Sequence, residues 1–149
     1  MQIDSKVTII TGGSGGLGIA AAKSFLEKGA RVAIFDLQEG DAKALAEENP
    51  GKVKFYATDV TSEEVVADNI NQVLEDFGAI DICINCAGFG PGTKTYSNSK
   101  GPHPLDKFQN VINVNLVGTF NVLRLAVEKM CANTGEEKGV IINLSLIHI

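Results

Sequence analysis

The stretch Thr11-Gly12-Gly13-Ser14-Gly15-Gly16-Leu17-Gly18 stands between a short β-branched run and a longer segment with helical periodicity. The run before it, Val7–Thr11, is typical of a buried strand, and Leu17–Lys28 is predicted to be a helix. Glycines allow the backbone to turn sharply and to approach a pyrophosphate, whose charge is favourable at a helix N-terminus. The strand on one side and the helix on the other therefore predict a dinucleotide-binding turn rather than a flexible linker.

Short β-rich runs and longer helical segments alternate along the rest of the chain. The predicted strands are Val7–Thr11, Arg31–Phe35, Val53–Ala57, Asp81–Asn85 and Gly139–Asn143. The predicted helices are Leu17–Lys28, Asp41–Glu48, Ser62–Phe77 and Leu105–Met130, the third of them with a capping box made by Thr61 and Glu64. Repeated strand–helix units imply right-handed crossovers. We therefore predict an α/β fold in one domain, a Rossmann-type doubly wound parallel sheet of order 3-2-1-4-5, truncated after the fifth strand.

Two carboxylates follow strands at the edge of the sheet where such folds bind their ligands. Asp36 comes directly after the second strand, and a carboxylate there accepts hydrogen bonds from ribose hydroxyls and repels a 2′-phosphate. The next residue, Leu37, supplies no positive charge, so the sequence favours NAD over NADP. Asp59, followed by Val60, ends the third strand. It either contacts the adenine or caps its own turn, and the residues leave both interpretations open.

The segment Phe89–Pro104 interrupts the alternation with prolines and glycines and shows no periodicity. A long loop after the carboxyl end of a strand favours a lid or a binding loop. Tyr96 and Lys100 have Y-x-x-x-K spacing, but we do not expect them to be catalytic, because nothing there predicts a helix to align them. His103 is interpreted as a solvated loop histidine.

Composition excludes several classes of function. The net charge of −5 is spread along the chain without a basic stripe, so no nucleic-acid partner is expected. No apolar run is judged long enough to cross a bilayer, and Met1–Lys6 lacks the features of a presequence, which favours the cytoplasm. Three cysteines are too few for a disulfide framework. Cys83 and Cys86 form a C-x-x-C within a strand-like run, where they point to opposite faces, so neither a redox pair nor a metal site is expected.

Three groups of residues carry a family resemblance. Gly12, Gly16 and Gly18 match the T-G-x-x-x-G-x-G of short-chain dehydrogenases/reductases. Asn85-Cys86-Ala87-Gly88 is similar to that family's N-N-A-G element, with Cys in place of the second Asn. Asn113-Val114-Asn115 resembles the element that carries the family's structural and proton-relay asparagine, which identifies Asn115 as that residue. The chain is therefore identified as a member of this family from Val7 to Asn143.

The resemblance implies NAD-dependent oxidation of a secondary alcohol on a 3-hydroxyacyl-CoA or a hydroxysteroid. Two alternatives stay open, another short-chain reductase such as a 3-oxoacyl reductase and a non-catalytic nucleotide-binding or scaffold subunit. The resemblance also implies a homo-oligomer, a tetramer in the family, and leaves the mitochondrial matrix as the alternative compartment. Gly15 departs from the commoner serine, a change we expect to be tolerated. The expected cofactor-binding residues are Gly12, Gly15, Gly16, Leu17, Gly18, Asp36, Asp59, Val60, Cys86 and Gly88.

The family's catalytic serine, tyrosine and lysine follow the fifth strand, where this chain instead reads Leu144-Ser145-Leu146-Ile147-His148-Ile149. Ser145 is one position out of register, so the serine's role is not transferred to it. That hexapeptide is also the translation of the mosaic end of a transposase-based sequencing adapter. We therefore expect residues 1–143 to be an incomplete dehydrogenase domain and residues 144–149 to be adapter read-through, in which His148 has no chemical role. The chain as written is expected to be inactive and poorly stable.

Overall fold

The computed structural model describes residues 1–145 of the chain. Its strands are β1 (Val7–Thr11), β2 (Arg31–Asp36), β3 (Val53–Ala57), β4 (Ile82–Asn85), β5 (Tyr96–Ser97), β6 (Gly101–Pro102) and β7 (Val140–Asn143). Its helices are α1 (Gly16–Glu27), α2 (Ala42–Glu48), α3 (Glu63–Phe77), α4 (Leu105–Ile112), a π-helical segment (Asn113–Gly118) and α5 (Thr119–Met130). Within these residues, a parallel sheet has the order β3-β2-β1-β4-β7. Because β7 is the fifth strand of this sheet, the predicted fold class and order are confirmed.

The sheet lies between two layers of helices, and successive residues of each strand face opposite layers. Ile9 and Phe35 belong to the apolar cluster that also contains residues of α3 and α5. Ile10 and Ile34, their neighbours along the same strands, belong to the cluster formed with α1 and α2. All four side chains are fully buried. Both faces of the central strands are therefore covered, which explains why these strands are continuously apolar in sequence.

The register of the strands brings their carboxyl ends to one edge of the sheet. Thr11 at the end of β1 pairs with Phe35 of β2 and with Asn85 of β4. Asp36 at the end of β2 pairs with Ala57 of β3. The loops that follow β1 to β4 consequently start at the same edge, where doubly wound sheets bind ligands.

The structure corrects the predicted N-terminus of α3. Ser62, not Thr61, is the N-cap residue, and its Oγ accepts a hydrogen bond from the Val65 N–H at 3.3 Å. The Thr61 hydroxyl donates to the Asp59 carboxylate at 2.7 Å instead. The predicted capping box with Glu64 is therefore wrong, because the preceding turn engages the Thr61 hydroxyl.

Two features of the chain from Phe89 onwards were not predicted. A short antiparallel hairpin, β5–β6, lies within the long loop. The single predicted helix Leu105–Met130 is divided by the π-helical segment Asn113–Gly118. Such π-helical segments often mark functional sites, because they change which side chains a helix presents to its neighbours.

The helical stretch Leu105–Met130 is, by length and composition alone, long and apolar enough to cross a membrane, with 26 residues and a hydropathy of 1.2. The expectation that no apolar run reaches this length is wrong for this stretch. In the structure α5 packs against α3 and β4, and Val122, Ala126 and Met130 are buried in the core between them. Only 22% of its most apolar 18-residue window is buried in the described part of the chain, and a single helix of this kind gives only weak evidence for a membrane.

An apolar surface covers the outer side of the long helical stretch. Its exposed side chains are Leu105, Phe108, Ile112, Leu116, Val117, Phe120 and Val127. On β7, at one end of the sheet order, Val140 and Ile142 are 38% and 40% exposed. Apolar patches of this kind rarely stay uncovered in monomeric proteins.

We therefore expect residues 1–149, expressed alone, to self-associate, because the β7 edge and the helical face are left open. Size-exclusion chromatography with light scattering would show species larger than the 15.8 kDa chain. A charged substitution in the middle of the face, Phe120→Lys, is expected to reduce the mass of these species. A monodisperse monomer that unfolds in one cooperative thermal transition would contradict this expectation.

Candidate cofactor-binding site

A cavity of about 850 Å³ lies at the carboxyl edge of the sheet, above the ends of β1, β2, β3 and β4. Its walls come from the loops that follow these strands, together with the first turn of α1 and one side of α4. The ten expected cofactor-binding residues all line it, namely Gly12, Gly15, Gly16, Leu17, Gly18, Asp36, Asp59, Val60, Cys86 and Gly88. The structure thus brings together at one surface residues that lie up to 76 positions apart in the chain.

The glycine loop is tightly packed at Gly12, Gly13 and Gly18 and open at Gly16. Gly12 has a φ of +62°, and a Cβ there would lie 2.8 Å from the Ala87 backbone. A Cβ at Gly18 would overlap the carbonyl oxygen of Gly12. A Cβ at Gly16 would meet no protein atom within 4 Å. Gly12 and Gly18 are therefore required by the fold itself, whereas Gly16 leaves open space at the cavity surface.

The N-terminus of α1 is suited to an anion. Its N-cap residue is Gly15, no side chain caps the helix, and its first turn contains no acidic residue. The unpaired N–H groups of a first turn, together with the helix dipole, attract negative charge. Gly15, Gly16 and Leu17 all line the cavity. The backbone cradle and its positive potential fit the pyrophosphate of a dinucleotide.

Asp36 connects the glycine loop to the end of β2. Its Oδ2 accepts a hydrogen bond from the Ser14 N–H at 3.0 Å, and its Oδ1 accepts one from the Leu37 N–H at 2.8 Å. The carboxylate is thereby held at the cavity wall. Each carboxylate oxygen has further lone pairs, so the group retains the capacity to accept hydrogen bonds from a ligand's hydroxyls.

Asp59 caps its own turn, one of the two interpretations left open by the sequence. Its Oδ1 accepts hydrogen bonds from the Thr61 N–H at 2.9 Å and from the Thr61 hydroxyl at 2.7 Å. Asp59, Val60 and Thr61 also line the cavity. The hydrogen bonds therefore order the loop after β3 as one wall of the cleft.

The segment Asn85–Gly88 forms the wall that adjoins the glycine loop. The Ala87 N–H donates to the Thr11 hydroxyl at 3.1 Å, and the Cys86 N–H donates to the Thr11 carbonyl at 3.1 Å. The Asn85 side chain donates to the Asn143 side chain at 2.8 Å, which links β4 to β7. These contacts fix the segment to both neighbouring strands and leave Cys86 and Gly88 facing the cavity.

Asn115 lies in the π-helical segment and contacts the same wall from the other side. Its Nδ2 donates to the Phe89 carbonyl at 2.8 Å, while its Oδ1 accepts from the Phe89 N–H at 3.0 Å. A Cβ at Gly88 would lie 3.2 Å from the Asn115 Oδ1. Asn115 does not line the cavity itself. It holds the backbone of Phe89, and Phe89 lines the cavity.

Tyr96, Lys100 and His103, which the sequence did not mark as catalytic, do not line this cavity. Tyr96 lies in β5 with 61% of its surface exposed, and Lys100 lies in the turn before β6 rather than on a helix. His103 is a half-buried loop residue, and its Nδ1 is buried without a hydrogen-bond partner among residues 1–145. Its backbone N–H donates to the Thr95 carbonyl at 2.8 Å.

Burial makes the thiols of Cys83, within β4, and Cys86, just after it, poor nucleophiles. It raises the pKa of Cys83 to about 12, with a smaller contribution from the Cys86 thiol, and burial also raises the pKa of Cys86. Cys83 is buried in β4, Cys86 is half-buried at the cavity wall, and Cys131 is exposed. A thiol reacts as the thiolate, so a raised pKa slows alkylation near neutral pH.

We therefore expect iodoacetamide to modify Cys131 first, Cys86 more slowly and Cys83 only after unfolding. A dinucleotide in the cleft is expected to protect Cys86 but not Cys131, because only Cys86 lines the cavity. Peptide mass spectrometry over a time course, with and without NADH, measures both rates. Raising the pH toward the elevated pKa should accelerate Cys86 modification. Equal protection of Cys86 and Cys131 by NADH would contradict this placement.

Several cavity-lining residues were not identified from the sequence. They are Phe35, Leu37, Thr58, Thr61, Ala87, Phe89, Asn110 and Val114. Six of them lie at the end of a strand or within four residues after it, so their position at the carboxyl edge was the available signal. Asn110 and Val114 lie on the long helical stretch, four residues apart and on one side of it.

Comparison with known proteins agrees with this architecture. The family model described as short chain dehydrogenase matches residues 6–148. A bovine (Bos taurus) relative, 3-hydroxyacyl-CoA dehydrogenase type-2, is 41% identical over 98% of this chain, and the human (Homo sapiens) protein of the same name is 40% identical over the same share. L-fucose dehydrogenase of mouse (Mus musculus) is 33% identical over 97% of the chain.

The relatives are considerably longer than this chain. The chain spans 58% of the length of the bovine and human relatives and 50% of that of the mouse protein. The crystal structure of gox2181 superimposes with a TM-score of 0.81 at 28% sequence identity, over 95% of this chain and 53% of that one. The family match, the strand order and the cleft geometry agree, and the chain belongs to the short-chain dehydrogenase family.

Proposed function

We propose that this chain is the dinucleotide-binding part of an NAD-dependent dehydrogenase that oxidises a secondary alcohol on a 3-hydroxyacyl-CoA or a hydroxysteroid. This proposal rests on one observation, that an uncapped helix N-terminus, an open Gly16 and the Asp36 carboxylate face the same cavity. A nicotinamide dinucleotide supplies a hydride acceptor when bound. Family membership supports a nicotinamide cofactor, and Asp36 is the reason for proposing NAD.

Each wall of the cleft has a separate task in this proposal. The first-turn N–H groups of α1 bind the pyrophosphate, and Asp36 binds the adenosine ribose hydroxyls. The loop after β3 receives the adenine at Val60, and Asp59 orders that loop through its hydrogen bonds with Thr61. On the remaining wall, Asn115 holds the Phe89 backbone and thereby shapes the side of the cleft toward the reacting end.

The acyl-CoA substrate class is supported by the relatives rather than by a pocket within residues 1–145. The bovine and human relatives are named for 3-hydroxyacyl-CoA, at 41% and 40% identity, and the mouse relative is named for L-fucose, at 33% identity. The higher identity to the first group is our reason for proposing the acyl thioester ahead of the sugar.

We also propose that the native polypeptide continues beyond Asn143 and that residues 144–149 are adapter read-through. The length of the relatives supports this extension. Leu144 and Ser145 follow β7 within the described residues, whereas residues 146–149, which include His148, lie outside them. Re-reading the 3′ end of the gene from a library prepared without transposase tests this, and a stop codon after Ile149 would favour the non-catalytic alternative.

The activity is tested with the full-length gene product. We expect it to consume NADH in the presence of acetoacetyl-CoA, and to reduce NAD with 3-hydroxybutyryl-CoA in the reverse direction. Turnover with L-fucose and NAD, and none with either CoA thioester or with a hydroxysteroid, would overturn the proposed substrate class. NADH binding without turnover of any of these compounds would indicate a nucleotide-binding subunit.

A further inference from the structure

One helical stretch holds two walls of the cleft. Asn115 in the π-helical segment holds Phe89, as described above. Six residues later, at the start of α5, the Asn121 Nδ2 donates to the Val60 carbonyl at 3.0 Å. Both Phe89 and Val60 line the cavity. The family resemblance assigns a role to the first asparagine and none to Asn121.

Asn121 is buried, with 6% of its surface exposed, and its amide is held at both ends. Its Oδ1 accepts a hydrogen bond from Arg124 Nη2 at 2.9 Å, and Arg124 Nη2 also pairs with Glu63 Oε1 at 2.9 Å. The Arg124 contact orients the amide so that its NH2 group faces the Val60 carbonyl. A buried amide satisfied in this way holds a defined geometry, because losing either hydrogen bond leaves a buried polar group unpaired.

The side chain of Val60 is fixed by the same helical stretch. Val60 is 7% exposed and belongs to the core cluster beneath the cleft. A Cβ at Gly118 would lie 2.6 Å from Val60 Cγ2, so only glycine at that position lets Val60 pack this closely against the helix. With its carbonyl bound by Asn121 and its side chain packed at Gly118, Val60 has little freedom to shift.

We propose that Asn121, oriented by Arg124, is a positioning residue that holds the loop after β3 in the shape that receives the adenine. This inference rests on the proposed function, because it assumes that a dinucleotide occupies the cleft. Asn121 acts through Val60 rather than by touching the ligand. Its loss therefore weakens binding of the adenosine half of the cofactor and leaves the reacting end unchanged.

The test compares Asn121→Leu with wild type in the full-length gene product. Asn121→Leu removes the donor at similar volume, and we expect the Kd for ADP-ribose to rise about 10-fold, the value of one hydrogen bond. The KM for NAD should rise by a similar factor with kcat unchanged. Asn133→Leu is the matched control, since Asn133 also donates to backbone carbonyls, those of Ile80 and Lys138, but does not line the cleft.

A second variant keeps the test decisive if Asn121→Leu does not fold. Arg124 is partly exposed, so Arg124→Met leaves the core intact but removes the contact that orients the amide. We expect a rise of about 3-fold in the Kd for ADP-ribose. Unchanged ADP-ribose affinity in folded Asn121→Leu, or in Arg124→Met if the first is unfolded, would overturn the inference. Failure of the wild type to bind ADP-ribose would instead overturn the proposed function.

Discussion

Gly16→Ala is expected to raise the Kd for NADH about 10- to 100-fold while leaving the thermal midpoint of the protein unchanged. A Cβ at this position meets no protein atom within 4 Å, so the folded chain accommodates it. The same Cβ occupies space at the cavity surface, where we propose that the backbone approaches the cofactor's pyrophosphate. The magnitude corresponds to the loss of one or two hydrogen bonds to a charged group. Isothermal titration with NADH and differential scanning calorimetry measure the two effects separately.

Two neighbouring glycines are controls for this prediction. Gly18→Ala is expected to lower stability by about 3 kcal/mol, because its Cβ overlaps the Gly12 carbonyl oxygen and the backbone must move. Gly15→Ser is expected to change stability and NADH affinity little. Gly15 has extended backbone angles, and a Cβ there would lie 3.4 Å from the Gly12 carbonyl oxygen, which is an ordinary contact. If Gly15→Ser weakened NADH binding as strongly as Gly16→Ala, the contact with the pyrophosphate would be misplaced.

Asp36→Asn is expected to reduce the preference for NADH over NADPH by about 10-fold or more. The neutral amide keeps the shape of the carboxylate but does not repel a 2′-phosphate, so NADPH binding improves. NADH binding weakens, because hydrogen bonds from hydroxyls to a charged acceptor are stronger than those to a neutral one. The amide nitrogen also cannot accept a hydrogen bond, so one of the two backbone hydrogen bonds that Asp36 accepts, from Ser14 or from Leu37, is lost. Titrating both nucleotides into the variant and the wild type gives the ratio directly.

Asp59→Asn provides the matched control for the change of charge. Asp59 lines the same cavity, but its carboxylate is engaged by Thr61 within its own turn. We expect this substitution to leave the ratio of NADH to NADPH affinity within about 2-fold of wild type, because the carboxylate is not assigned to the ribose. An equal change in the ratio for both variants would show that overall charge, rather than the position of Asp36, sets the preference.

The strands were predictable because burial on both faces leaves a simple sequence pattern. The bounds of β1 and β3 agree with the prediction, and β2, β4 and β7 differ by one residue. The division of Leu105–Met130 was not predictable from periodicity, since a π-helical segment shifts the helical phase by only one residue. Its physical cause is tertiary, because Asn115 contacts Phe89 and Gly118 packs against Val60.

The candidate site was predictable where chemistry and chain position coincide. The glycine loop and Asp36 each follow a strand and carry a residue type that such a position requires. The sequence did not identify Asn110, which lines the cavity, or Asn121, which donates to the Val60 carbonyl. Both positions depend on how the helical stretch packs against the loops, and local sequence does not specify that packing. The N-cap of α3 was assigned one residue early for a similar reason, since Asp59 engages the Thr61 hydroxyl.

We propose above all that the cleft above β1–β4 binds NAD(H) in preference to NADP(H). The most direct test is to titrate the full-length gene product with NADH and with NADPH under the same conditions. We predict saturable NADH binding with an affinity at least about 10-fold higher than that for NADPH, consistent with a carboxylate at the ribose. Equal or tighter binding of NADPH would contradict the role given to Asp36, and no binding of either nucleotide would contradict the assignment of the cleft itself.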